Sequence, residues 1–306
     1  MAEAFTIPKR AMAVFAHPDD VDFGCSGTLA SWIRAAGTHV TYCVITSGQK
    51  GTHDLKTTAE QMAETRQREQ RAAGEAIGVK EFVFLGHQDG ELEVTMDLRG
   101  EVCRVIREHR PDVVFTNDPW GHYQTHPDHR VAGWSGLDGV IAARDHLFFP
   151  EQLTGGLKHH RVARVLLFGT RDPNIWFDIS GSIDGKIAAL RSHKSQVGGR
   201  RGFAERMRWW AKNTGSTWNL EAAEAFRGGG REEQAAAEER ELAVLEEFMP
   251  EPLSEDELEE IVDDAIAENG ATSMRDFGRV MADVMPQVSG RADGSVVSQI
   301  VKEKLA

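Results

Sequence analysis

The chain has 306 residues, of which 41% are hydrophobic and 27% are charged, and these fractions are typical of a folded globular protein. Its apolar runs are too short to span a bilayer and its N-terminus lacks the apolar stretch of a secretory signal, so we expect a cytoplasmic protein without membrane contact. The three cysteines, Cys25, Cys43 and Cys103, are too scattered for a disulfide framework or a zinc ribbon, and we expect them to be buried and reduced.

Charge is divided unevenly along the chain. Residues 231–306 carry 20 acidic and 7 basic side chains, whereas residues 1–230 carry 28 of each kind. This shift predicts a domain boundary near residue 230, where Gly228-Gly229-Gly230 has the composition of a flexible linker. The acidic surface of the last quarter repels phosphate, so tRNA or another nucleic acid is not its expected partner.

Strand and helix patterns alternate over the first 170 residues. Strands are predicted at Met12–Ala16, His39–Ile45, Phe82–Leu85 and Asp112–Thr116, and helices at Ser26–Ala36, Thr58–Ile77 and Asp97–His109. Shorter strands at Val165–Phe168 and Trp176–Ile179 and helices at Ile183–His193 and Phe203–Lys212 follow. This alternation predicts βαβ units and therefore a Rossmann-like α/β fold with a mostly parallel sheet.

The last quarter shows helical patterns only. Helices are predicted at Glu232–Phe248, from Ser254 to about Asn269, at Met274–Met285 and at Ser295–Leu305. Ser254 is followed by three acidic residues, which is typical of a helix N-terminus. We therefore expect an α/β domain over residues 1–227, a glycine linker over 228–230 and a small all-α domain over 231–306.

Potential metal ligands come directly after the predicted strands. His17-Pro18-Asp19-Asp20 follows the first strand, and His126-Pro127-Asp128-His129 follows the fourth after a short loop. In an open α/β sheet, ligands bind beyond the carboxyl ends of the strands. Two histidines and one carboxylate, with one position open to water, form the ligand set of a catalytic zinc. The same donors form the facial triad of iron oxygenases, an alternative that the alternating α and β pattern disfavours.

A neighbouring free carboxylate is needed in such a site to accept the proton of the attacking water. Asp19 lies beside the candidate ligands and is suited to that role. A spare histidine can stabilise the oxyanion and protonate the leaving nitrogen. A role as plain loop residues is the weaker alternative for the two His-Pro-Asp tripeptides, because each of them follows a strand.

Several segments resemble the PIG-L/LmbE family of zinc-dependent N-acetylglucosaminyl deacetylases. They are AVFAHPDDVDFGCSGTLASW, ETRQREQRAAGEAIGV, FLGHQDGEL, THPDHR, IAALRSHKSQ and LEAAEAFR, and together they extend over about residues 10–227. The resemblance implies a metal-dependent hydrolase that removes an N-acetyl group from an amino-sugar derivative. It implies Zn²⁺ as the cofactor, and the same ligands also hold Fe²⁺.

The resemblance also assigns roles to individual residues. It gives metal ligation to His17, Asp20 and His129. It gives the general base to Asp19, a second catalytic group near the oxyanion to His126, and the orientation of a histidine to Asp128. It gives substrate binding to Arg66 and Asp89. Many members have Glu directly after the paired aspartates, whereas this chain has Val21 and then Asp22, as bacillithiol-pathway deacetylases do.

Residues from about 230 to the C-terminus resemble the C-terminal half of YqeY proteins and the tail of the B subunit of tRNA-dependent amidotransferases. In the amidotransferase this module helps to hold tRNA. Because the segment is acidic here, we expect it to contact another protein or a second copy of this chain instead. The alternative to an enzyme is a non-catalytic or regulatory protein that acts in tRNA-linked amidation through this tail.

Trp209 and Trp210 are adjacent in the predicted helix Phe203–Lys212. Aromatic faces suit pyranose rings, so the pair is a candidate lining for a sugar site. Such pairs more often pack a helix against the core, and we expect that packing role here.

Overall fold

The computed structural model describes residues 5–122, 126–229, 253–289, 291–292 and 294–305. The chain divides into two compact units, Met1–Gly230 and Arg231–Ala306. The division falls at the position where the charge balance changes. Within the described ranges, no helix is both long enough and apolar enough to cross a membrane.

One seven-stranded sheet organises the described part of the first unit. Its strands are β1 Arg10–Phe15, β2 His39–Thr46, β3 Glu81–His87, β4 Val113–Asn117, β5 Arg164–Phe168, β6 Ile175–Asp178 and β7 Ala223–Gly229. They lie in the order β3-β2-β1-β4-β5-β7-β6. Strands β1 to β5 are parallel, and β7 runs antiparallel to β5 and β6. The predicted mostly parallel sheet is confirmed, although strand β7 was not predicted.

Helices cover both faces of this sheet. They are α1 Asp20–Gly24, α2 Ser26–Ala36, α3 Ala59–Ile77, α4 Met96–His109, α5 Pro127–Arg144, α6 Pro150–Thr154, α7 Ile183–Ser192, α8 Lys194–Val197 and α9 Phe203–Ser216. Helix α3 begins with a capping box between Thr58 and Gln61, and Gly78 ends it with a φ of 99°. Helix α5 was not predicted, because three glycines interrupt its apolar pattern. Those glycines let α5 pack closely on β4 and α4, where Cβ atoms would collide.

The sheet has a hydrophobic core on each face. Helices α2, α3 and α7 pack on one face, where Leu29 and Trp32 are buried. Helices α4 and α5 pack on the other, where Val102 and Ile106 are fully buried. Burial of each such side chain contributes roughly 1.5–3 kcal/mol to the free energy of folding. All three cysteines are buried and free, as predicted.

Gly228 and Gly229 form the end of β7, so the prediction that they belong to a flexible linker is wrong. Gly228 pairs with Leu166, and its N–H donates to Asn174 Oδ1 at 2.7 Å. A Cβ at Gly228 would collide with Ile175. The glycine is therefore needed for close packing inside the sheet. Residue 230 and the predicted helix Glu232–Phe248 lie outside the described residues.

The described part of the second unit is helical, as predicted. It contains α10 Glu255–Asn269, a short 3₁₀ turn Met274–Asp276, α11 Phe277–Val288 and α12 Gly294–Leu305. Ser254 caps α10, and the N–H of Ser254 donates to Glu257 Oε2 at 2.8 Å. The three helices share a core of their own, which includes Leu258, Val284 and Val301.

Candidate active site

The switch point of the sheet lies between β1 and β4. These strands are parallel neighbours, but the chain leaves β1 toward β2 and leaves β4 toward β5. The loops that follow the two strands therefore diverge, and a crevice opens at their carboxyl ends. One loop carries His17 to Asp20, and the other leads into α5 at His126. The fold thus brings the two motifs together.

Three side chains, His17, Asp20 and His129, bring their donor atoms into a small triangle in this crevice. His17 Nδ1 lies 3.4 Å from Asp20 Oδ2 and 3.2 Å from His129 Nε2. His129 Nε2 lies 3.1 Å from Asp20 Oδ1. Tetrahedral zinc with bonds of about 2.0 Å places its ligand atoms about 3.3 Å apart. The side chains that were predicted as metal ligands are therefore close together and fit a divalent ion.

Two further carboxylates, those of Asp128 and Asp89, contact the other ring nitrogen of His17. His17 Nε2 lies 3.2 Å from Asp128 Oδ2 and 3.1 Å from Asp89 Oδ1. Asp128 is fully buried and accepts hydrogen bonds from the N–H groups of Gly90 at 2.7 Å and Leu92 at 3.3 Å. These contacts occupy Nε2 and leave Nδ1 facing the other ligand atoms. In metal sites, a carboxylate bound to the second nitrogen of a ligating histidine orients the ring in this way.

The charges of the triangle suit a cation. Burial raises the pKa of Asp20, but hydrogen bonds from His129 and His17 outweigh this effect and hold its pKa far below the ordinary value. Burial lowers the pKa of His17, yet hydrogen bonds to Asp20 and Asp89 raise it to about 10. Without a metal, a proton on His17 balances the carboxylates. A metal ion held by His17 would displace that proton, because a ligating imidazole is neutral.

Asp19 adopts a strained conformation that a buried network holds in place. Its φ of 105° lies in the left-handed region, which costs about 1–3 kcal/mol for a residue other than glycine. The N–H of Asp19 donates to Gln70 Oε1 at 2.8 Å, and Gln70 Nε2 donates to Asp22 Oδ2 at 2.9 Å. His193 Nε2 lies 2.8 Å from the same oxygen of Asp22. Burial raises the pKa of Asp19 to about 7, although the charge of Arg66 opposes the shift.

Arg66 lies beside Asp19 and is itself only 4% exposed. Its Nη2 lies 3.1 Å from Asp19 Oδ1 and also donates to the carbonyl of Pro18, and its Nη1 donates to the carbonyl of Gly48 at 3.1 Å. Gly48 has a φ of 62°, and a Cβ there would collide with the guanidinium group. Arg66 therefore fixes the loop that carries Asp19, and its direct contact with substrate stays a prediction.

Asp89 has a similar supporting position. It is 4% exposed, and its Oδ2 accepts the N–H of Lys50 at 3.1 Å. Its Oδ1 faces His17 and lies 3.5 Å from His126 Nε2. These contacts give Asp89 an orienting position beside His17 and His126, and its contact with substrate stays a prediction.

His126 caps α5 and is positioned by its own helix. Its Nδ1 accepts the N–H of Asp128 at 3.3 Å, so the neutral ring carries its proton on Nε2. Burial and the charge of His17 lower the pKa of His126 and favour this neutral form. The side chain is 39% exposed, and its ring centroid lies 4.3 Å from that of His17. His126 is therefore a hydrogen-bond donor beside the ligand triangle.

A cavity of about 550 Å³ adjoins the ligand triangle, and Asp20 and His129 belong to its lining. Its further lining includes the polar residues Asn117, Lys186 and Glu224 and the apolar residues Phe23, Phe168, Met207 and Trp210. Asn117 is 4% exposed and its Oδ1 has no hydrogen-bond partner. Lys186 Nζ and Glu224 Oε1 form a buried ion pair at 2.5 Å. The cavity thus combines a polar end with an apolar wall.

Some residues of the site were missed or misplaced by sequence reasoning. Trp210 is 49% exposed and lines the cavity, and Trp209 is 59% exposed, so the predicted packing role of this pair is wrong. Asn117 was recognisable, because it directly follows the predicted strand Asp112–Thr116 and is the last residue of β4. Gln70 was not, since nothing in the helical pattern of α3 distinguishes the residue that reaches Asp19.

Comparison with known proteins identifies relatives for both units. The family described as PIG-L, GlcNAc-PI de-N-acetylase, matches residues 12–137, and the family described as Yqey-like protein matches residues 218–305. The diacetylchitobiose deacetylase of Thermococcus kodakarensis is 36% identical over 194 residues, which cover 63% of this chain and 72% of that protein. A probable N-acetyl-alpha-D-glucosaminyl L-malate deacetylase 2 of Bacillus cereus is 29% identical over 198 residues, which cover 62% of this chain and 84% of that protein.

A solved structure supports the same relationship. The N,N'-diacetylchitobiose deacetylase from Pyrococcus horikoshii, determined with its inhibitor, superposes with a TM-score of 0.68 at 29% sequence identity. The match covers 73% of this chain and 84% of that one. The resemblance inferred from the motifs is confirmed. The chain belongs to the PIG-L/LmbE family of deacetylases and carries a YqeY-like helical region after its deacetylase fold.

Proposed function

We propose that this protein is a zinc-dependent amidohydrolase that removes the N-acetyl group from an amino-sugar derivative. The observation that carries the proposal is that Asp20 and His129 belong both to a metal-sized triangle of donors and to the wall of a substrate-sized cavity. The relatives act on N-acetylated sugars by name, which supports the substrate class. Nitrogen and carboxylate donors at tetrahedral spacing favour zinc, and iron(II) is the competing ion.

The side chains around the triangle are suited to amide hydrolysis. A bound divalent ion supplies Lewis acidity that polarises the acyl carbonyl and lowers the pKa of water toward about 7. Asp19 accepts a proton from the water that attacks the acyl carbon. As the carbon–nitrogen bond breaks, the proton held by Asp19 passes to the nitrogen, which leaves acetate and a free amine.

His126 has a separate role in this scheme. Its Nδ1 accepts the N–H of Asp128, so the neutral ring has a single proton to offer, at Nε2. We assign that N–H to the developing oxyanion of the acyl group, because a donor there stabilises the transition state. This assignment keeps the predicted oxyanion role of His126 and moves the return of the proton to Asp19.

Two further side chains give the cavity features that suit a sugar. Trp210 presents an exposed aromatic ring, and the faces of pyranose rings pack well on such surfaces. Asn117 Oδ1 is a buried acceptor without a partner, which is costly unless a ligand donates to it. A hydroxyl or amide N–H of the substrate satisfies this acceptor.

The test is acetate release by the purified full-length chain. We expect release from N,N'-diacetylchitobiose or another N-acetylglucosaminide, loss of release after chelation, and recovery with Zn²⁺ or Fe²⁺ added separately. The Asp19→Asn variant, loaded with the same metal, is the matched control for contaminating activity. A folded, metal-loaded protein that releases no acetate from any of these sugars contradicts the proposal.

A further inference from the structure

The cavity beside the ligand triangle continues into a second one. The lining of the first cavity includes the candidate ligands Asp20 and His129 and the nonpolar side chains Phe23, Met207 and Trp210. The same three nonpolar side chains also line a neighbouring cavity of about 460 Å³. The two cavities therefore adjoin at these apolar side chains, and because only the first is lined by candidate metal ligands, the second is the far end of the pair.

Arginines dominate that far end. Arg200, Arg201 and Arg206 line the second cavity together with Phe203. A third cavity of about 250 Å³ shares Arg200, Arg201 and Phe203 with the second and adds Arg191. Among the described residues that line these two cavities there is no Asp or Glu. We call these four arginines the arginine cluster.

The arginine cluster lacks counter-charges within the described protein. No carboxylate of the described residues pairs with Arg191, Arg200, Arg201 or Arg206, although residues 1–230 carry as many acidic as basic side chains, 28 of each. Other surface arginines, such as Arg208 with Asp184, do have an acidic partner. The four side chains are exposed and line adjoining cavities that have no acidic residue in their described lining, so an anion bound there meets a positive potential.

The chemistry of the cluster specifies what it binds. A guanidinium group presents its N–H donors as a planar fork that matches the two oxygens of a carboxylate or phosphate. The cation of Arg206 lies 6.0 Å from the centroid of the Phe203 ring, so the cluster also offers an aromatic surface. We propose that the arginine cluster binds a carboxylate or phosphate that the substrate carries on the side remote from its N-acetyl group. This proposal rests on the proposed deacetylase function and narrows its substrate to an anionic amino-sugar derivative.

Three matched glucosaminides test it: phenyl, 4-carboxyphenyl and 4-phosphonooxyphenyl N-acetylglucosaminide. The full chain is compared with the triple variant Arg200→Gln/Arg201→Gln/Arg206→Gln and with Arg208→Gln, a control on the same helix whose guanidinium already pairs with Asp184. We expect kcat/KM to be at least tenfold higher for one or both anionic substrates than for the phenyl compound, mainly through KM. That preference disappears in the triple variant and persists in Arg208→Gln.

Binding is measured separately from turnover. Calorimetric Kd values for the three compounds are determined with the metal-loaded Asp19→Asn chain, with and without the triple substitution. If the wild type releases acetate but the three Kd values agree within twofold, the anion site is wrong and the deacetylase function stands. An anionic preference that survives removal of the arginines also overturns the site. If no acetate is released but the preference depends on the arginines, the site stands and the deacetylase function fails. The two anionic compounds distinguish a carboxylate from a phosphate.

Discussion

The Nδ1 atom of His17 lies 3.2 Å from the Nε2 atom of His129, although 112 positions separate the two residues in the chain. One histidine follows β1 and the other lies in the first turn of α5, after β4. The donor triangle therefore exists only when the central strands are paired. We therefore expect metal binding and folding of the first unit to be coupled, since the unfolded chain has no preformed site.

The first prediction concerns the metal itself. Purified chain should contain about one divalent ion, and His129→Ala should lose most of it, because two donors hold a tetrahedral ion far less tightly than three. His109→Gln is the matched control, since His109 pairs with Glu81 and is not one of the candidate metal ligands. Elemental analysis of the dialysed proteins gives the occupancy. Wild-type occupancy in His129→Ala would disprove the ligand assignment.

The second prediction concerns the general base. Asp19→Asn preserves the shape of the side chain but cannot accept a proton, so metal content should be unchanged while kcat falls by about 10²–10⁴. The measurement is acetate release at saturating substrate, with metal content and melting temperature determined on the same samples. Near-normal turnover of the metal-loaded variant would show that Asp19 has only a structural role.

The third prediction concerns the network that holds Asp19 in its strained conformation. Gln70→Leu leaves the buried N–H of Asp19 without a partner, which costs about 1–3 kcal/mol, whereas Asp22 Oδ2 keeps its contact with His193. We expect a lower melting temperature and a reduced kcat with metal still bound. Gln67→Leu, on the same helix, is the control and should change neither. A Gln70→Leu protein with wild-type kcat would mean that the loop needs no such support.

The fourth prediction separates the two adjacent tryptophans. Trp210 lines the cavity and Trp209 does not, although both are about half exposed. Trp210→Ala should raise KM for N-acetylglucosaminides about tenfold with little change in kcat, because it removes packing that substrate and transition state share. Trp209→Ala should leave both constants unchanged. Equal effects of the two substitutions would exclude a specific sugar contact for Trp210.

Much of this site could be predicted from the sequence, because the candidate ligands lie in two short motifs that each follow a predicted strand. The predicted strands ended within two residues of the observed β1 and β4, and the ligand-bearing motifs follow those strand ends. The supporting layer was harder to find, because its geometry depends on packing between distant segments. Arg66 and Asp89 match sequence positions linked to substrate, yet both are buried beside catalytic groups. Trp210 shows the reverse case, since helical periodicity cannot tell a core face from the wall of a cavity.

The linker shows a different limit of sequence reasoning. A run of glycines is typical of flexible chain, but Gly228 here is packed between Leu166 and Ile175. The absence of a side chain serves the sheet, because β7 must approach its neighbours closely. A run of glycines has the same composition in a flexible linker and in a closely packed strand. Only the position of the neighbouring strands distinguishes them.

The last prediction concerns the C-terminal region. A chain that ends at Gly230 keeps all of β7, including the buried residues Glu224 and Phe226. Because the second unit has its own core and supplies none of the candidate ligands, this shortened protein should fold, bind metal and hydrolyse small substrates at a rate comparable to the full chain. A chain that ends at Ala222 lacks β7 and should be insoluble or unfolded. Circular dichroism, metal content and acetate release are the measurements.

The separated region 231–306 should be helical by circular dichroism and should bind tRNA only weakly at physiological salt, because its net charge of −13 repels the phosphate backbone. Titration of labelled tRNA at several salt concentrations gives its affinity. A folded but inactive chain ending at Gly230 would show that the C-terminal region completes the active site or holds an essential oligomer. Tight and specific tRNA binding by the separated region would overturn the charge argument and favour a role in tRNA-linked amidation.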